Sequence, residues 1–129
     1  MKTAPTALAA LLAACALTAL PARAGPGHDH SPQHGGIVRD AGQLTLELVA
    51  RPDALILHVS DHNKPVATGG ARGTATLYGG SGKVVVELLP AGANRMEARG
   101  SFKVGVGVRA AVALALPGKA ETKATFNLK

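Results

Sequence analysis

From residue 43 onward, apolar and polar positions alternate with period two, the pattern of strands that bury one face. "QLTLELVA" (43–50) sets Leu44, Leu46 and Leu48 on one side and Thr45 and Glu47 on the other. "ALILHVSD" (54–61) repeats the pattern with Leu55, Leu57 and Val59, and Arg51-Pro52-Asp53 between the two is a turn, so they predict a hairpin. "GTATLYGG" (73–80) and "KVVVELLP" (83–90) meet at a Gly-Gly-Ser-Gly connector and predict a second hairpin. "NRMEARGSF" (94–102), "GVRAAVALAL" (107–116) and "TKATFNLK" (122–129) complete the series. Residues 107–116 are alanine-rich, but Gly105, Gly107 and Pro117 bracket them, and Val108, Val112, Leu114 and Leu116 share one parity, which favours a strand. The expectation is an all-β domain over residues 37–129: a small antiparallel β-sandwich, immunoglobulin-like, with about seven strands.

The pattern before residue 37 is different. Lys2, the apolar stretch Ala7–Leu20 and the small residues of Ala22-Arg23-Ala24 read as an export signal over residues 1–24. The stretch is shorter than the ~20 residues a membrane helix needs, so no transmembrane segment is expected in the mature chain. Leu12-Ala13-Ala14-Cys15 also fits a lipobox, and a chain anchored by lipid at Cys15 is the alternative to a soluble periplasmic one. Cys15 is the single cysteine, so cleavage after Ala24 excludes both disulfides and thiolate ligands.

The formal net charge of +6 comes from lysines and arginines scattered singly, with Tyr78, Phe102 and Phe126 as the only aromatics. Neither a basic tract nor a stacking platform is available, which argues against nucleic-acid binding. Gly79–Lys83 lacks the first glycine and the hydroxyl residue of a phosphate-binding loop, and Gly105–Ala110 lacks the βαβ context of a dinucleotide fingerprint. No nucleophile has a convincing base and oriented acid nearby in sequence, so the chain does not read as an enzyme.

What remains is histidine. "HDHSPQHGG" (28–36) holds three of the five histidines, within a polar, glycine- and proline-containing segment (25–36) expected to be flexible. His28 and His30 point the same way on an extended backbone, ~6–7 Å apart at Cα, close enough to share one ion. Asp29 adds a carboxylate, and His34 can fold back across Ser31-Pro32-Gln33. The nitrogen and oxygen donors suit a divalent transition metal ion, copper or zinc above all, better than Cu(I). The opposing reading is a solvated tail. His58 lies opposite the buried face of its strand, as a surface residue or a ligand, and His62 sits in the turn Asp61–Pro65.

"HGGIVRDAGQLTLELVA", "LILHVSDHNKPVAT", "GKVVVELLPAGANRMEARGSF" and the closing "ATFNL" together resemble small periplasmic heavy-metal-resistance proteins. They are also similar to the N-terminal domain preceding some periplasmic adaptor subunits of RND-type heavy-metal efflux pumps. The resemblance implies a β-sandwich that binds or hands over metal near an RND-type efflux complex. It carries over only His34, Gly35 and Gly36 directly, and glycine is usual where Asn63 stands. The adaptor's further regions are not part of this sequence, so the chain is not expected to bridge a pump itself. The resulting expectation is a periplasmic protein that binds, buffers or delivers metal, with His28, His30 and His34 as ligands and Asp29, His58 and His62 as lesser candidates. Its rival is an exported interaction module that docks onto a larger envelope assembly without metal.

Overall fold

The structure is a computed structural model that describes residues 31–129; residues 1–30, and with them His28, Asp29 and His30, lie outside the described residues. Nine strands follow one another in the chain: β1 (Ile37–Ala41), β2 (Leu44–Arg51), β3 (Ala54–Asp61), β4 (Lys64–Pro65), β5 (Arg72–Gly79), β6 (Gly82–Pro90), β7 (Arg95–Arg99), β8 (Arg109–Ala115) and β9 (Thr122–Asn127). All pairings are antiparallel, in the order β1-β2-β3-β7-β6-β5-β8-β9, with β4 added beside β3. The ends of this path, β1 and β9, come close without pairing, so the sheet is nearly closed into a barrel. The fold is therefore all-β and sandwich-like, as the alternation predicts.

Two of the nine strands go beyond the predicted seven. β1 carries Val38, Arg39 and Asp40, a run too short and too polar to show clear alternation, and β4 is two residues long. The predicted strands otherwise fall close to their expected places, although β7 ends at Arg99 rather than continuing to Phe102.

The interior is built from the inward parity of each strand. Leu46, Leu48, Leu55, Leu57, Leu88, Met96, Leu114, Val59, Val112 and Phe126 are all essentially inaccessible. Each such side chain contributes about 1.5–3 kcal/mol over its exposed state. Met96, the one thioether of the domain, is consumed by this core and is unavailable as a ligand.

Two local devices position the site. His62 and Asn63 take φ of 50° and 66° to close the tight β3–β4 turn, a conformation asparagine tolerates. In Gly35-Gly36, Gly35 adopts φ 77°, and Gly36 passes so close to β2 that a Cβ there would lie 2.4 Å from the Leu48 carbonyl oxygen. The two glycines thus have separate jobs: one turns the chain and the other lets it press against the sheet.

Candidate functional site: a carboxylate that holds the histidine segment

β2 is buried on both faces. Its inward leucines are expected, but Thr45 and Glu47 on the opposite face are also buried, with Glu47 only 6% exposed. The cover is residues 33–36, laid across the outer side of β2. Glu47 Oε1 accepts from the Gln33 amide at 2.9 Å and from His34 Nδ1 at 3.0 Å. Glu47 Oε2 accepts from the amides of His34 and Gly36, both at 2.8 Å. One carboxylate therefore takes four hydrogen bonds from a segment lying 11 to 14 residues away in the chain. The end of the segment expected to be flexible is anchored here.

Burial alone would raise the Glu47 carboxyl, but the bond from the His34 ring and those from the amides of Gly36, His34 and Gln33 together outweigh it. They hold Glu47 below the usual glutamate range. It is an anion at neutral pH, stabilised by the His34 ring and by three backbone amides that form a ready-made concavity for negative charge.

The β2–β3 register sets His58 directly opposite Glu47, and the β3–β7 register sets Arg95 opposite His58. The His58 ring lies flat against that of His34, with centroids 3.5 Å apart and planes 1° from parallel. Burial, then the neighbouring His34, push His58 below its ordinary value; Glu47 opposes this and Arg95 adds to it. His58 is thus a neutral, half-buried partner in the stack at neutral pH. Both rings line a pocket of about 340 Å³ open to solvent, whose walls include Thr45, Ser60 and Asn94.

This geometry defines what each ring can do. An ionised carboxylate oxygen 3.0 Å from Nδ1 requires the proton on that nitrogen, so neutral His34 carries its lone pair on Nε2. The His34 side chain is 46% exposed. A metal ion binds near the plane of an imidazole, at about 2.0–2.1 Å. Two stacked parallel rings with centroids 3.5 Å apart do not share such a point, so the pair does not chelate one ion unless a ring swings out. Among the described residues, no three His, Cys, Asp or Glu side chains are grouped to hold a metal.

The candidates from sequence therefore separate. His34 and His58 come together around Glu47. His62 is exposed in the β3–β4 turn, pairs through Nδ1 with Asp61, and does not line the pocket. Glu47 itself was missed because on β2 it looks like any outward-facing polar residue; the signal available was Gly35-Gly36, a pair that implies close backbone approach.

Comparison of the chain with protein-family models, with curated proteins and with solved structures finds no match in any of the three.

Proposed function

We propose that this is a periplasmic protein that binds divalent transition metal ions as cargo, for buffering or for delivery to an RND-type efflux complex. The observation that carries the reading is the Glu47–His34 pair. A carboxylate on one imidazole nitrogen fixes the tautomer, orients the ring and raises the basicity of the other nitrogen, an arrangement found behind metal-binding histidines. His34 supplies one oriented nitrogen through Nε2. His30, four residues before it, and with it His28 and Asp29, would supply further donors, and His58 would join only by leaving the stack. The described residues alone do not form a complete ligand shell, so the reading depends on the preceding histidines.

The test is competitive titration of the purified chain, with residues 25–129 retained, against Cu(II), Zn(II) and Ni(II). His34→Ala and a His28→Ala/His30→Ala variant should each abolish near-stoichiometric binding. Glu47→Gln, which leaves all the imidazoles in place, should weaken it about 10- to 100-fold. Binding unchanged by His34→Ala would overturn the proposal and leave the metal-free docking module as the better reading.

A further inference from the structure

β6 carries an open edge. Along its length one side pairs with β5, but on the other side β7 pairs only with Leu89 and Pro90. Among the described residues, no strand pairs with that side of Gly82–Leu88. This stretch contains no proline and presents Val84 and Val85 at 55% and 61% exposure, with its two charges, Lys83 and Glu87, set towards its ends. Beneath it lies a groove of about 470 Å³ lined in part by Leu77, Val84, Phe102 and Val108.

The stretch is self-complementary. Its midpoint is Val85, and an antiparallel copy placed on a two-fold axis at Val85 sets Lys83 opposite Glu87 at both ends. Lys83, Val85 and Glu87 share the outer face of the strand, so each charge pair forms alongside a central valine contact. On the inner face Val84 meets Val86, over the groove, and Leu88 meets Gly82, which offers no side chain to clash. A shift by one residue breaks every one of these pairings.

We infer that β6 pairs with β6 of a second copy of this chain, antiparallel about Val85, joining two barrels through one continuous sheet. The occupant is assigned by charge complementarity: the open edge and the Lys-Val-Val-Val-Glu palindrome of charge have the same centre. This inference is independent of metal binding.

Sedimentation velocity of the purified chain over a wide dilution series, at low salt, tests it. The expected result is a reversible dimer that weakens as salt is added, since both charge pairs are exposed. Lys83→Glu or Glu87→Lys alone turns two attractive pairs into two repulsive ones and should weaken dimerisation about tenfold or more. The double variant Lys83→Glu/Glu87→Lys re-forms both pairs with the signs exchanged and should recover the dimer. All of these side chains are exposed, so thermal melting in dilute solution should be nearly the same for each variant. A monomer throughout the series, a dimer indifferent to the single exchanges, or a double variant no better than the singles would overturn the inference.

Discussion

Glu47→Gln is the most informative single change, because it keeps the shape of the side chain and alters only what its two oxygens can accept. In the native protein each oxygen takes two hydrogen bonds from residues 33–36. The amide replaces one oxygen by an NH2 group, which meets two N–H donors and can accept from neither. Two bonds are lost where the NH2 stands in for Oε2. Where it stands in for Oε1 the Gln33 bond is lost, while His34 can move its ring proton to Nε2 and accept at Nδ1. In both cases the bonds that remain no longer end on a charge. Hydrogen bonds to charged groups contribute about 1.5–3 kcal/mol each, but amides freed at this surface regain water. The net loss is therefore set near the low end of that range, at about 2 kcal/mol for the docked segment, or roughly 30-fold in its docked-to-released ratio. Amide hydrogen exchange reads this ratio directly. At one fixed pH, the Gln33, His34 and Gly36 amides should exchange about 30-fold faster in the variant. Those of Ala110 and Val112, in the middle of β8, should not change. Equal rates in both proteins at residues 33–36 would refute the reasoning, as would an equal acceleration in β8, which would mean global rather than local loosening.

Gly36→Ala should release the same segment by a different route: its Cβ would meet the backbone of Leu48, which has little room to yield, so the three amides should again exchange faster while Glu47 stays ionised. Acidification should destabilise the fold in two stages, because both perturbed groups are depressed in the folded state. The His58 contribution is complete above about pH 6.5 and is lost as pH falls toward its lower folded value; the Glu47 contribution is complete above about pH 4.3 and is lost below that. Melting curves should therefore show a falling Tm from about pH 7.5 to 5, flattened by His58→Gln, and a flat wild-type profile would contradict the assignment. Phe126→Ala, at a fully buried position, should cost about 3–5 kcal/mol in denaturant unfolding, and a loss below about 1 kcal/mol would show that the barrel interior is packed differently.

How much of this was legible in the sequence follows from the range of the interactions involved. The inward faces of β2, β3 and β8 could be read from parity alone, since Leu44, Leu46 and Leu48, or Val112 and Leu114, are separated by single residues. β1 was not legible, because Ile37–Ala41 gains its place by pairing with β2 and not through its own pattern. The near-closure of the barrel depends on β1 meeting β9, elements from opposite ends of the domain, and no local pattern carries that information. At the site, His34 stood out by its company, whereas His58, on a face with Ile56 and Ser60, read as a surface residue or a lesser ligand candidate. Only the β2–β3 register places His58 beside Glu47, and only the fold-back of residues 33–36 brings the His34 ring against it.

Three of the four bonds to Glu47 come from main-chain amides, and a carboxylate reading amides is indifferent to most of the side chains that accompany them. The grip on residues 33–36 is therefore written mainly in the backbone and Gly36, with the His34 ring adding the one side-chain bond. Under the proposed metal-binding function, the donors that precede residue 33 are then separable from that grip. If the proposed function holds, those donors can be rewritten, by selection or by design, toward another ion while the barrel continues to hold residues 33–36 in the same register.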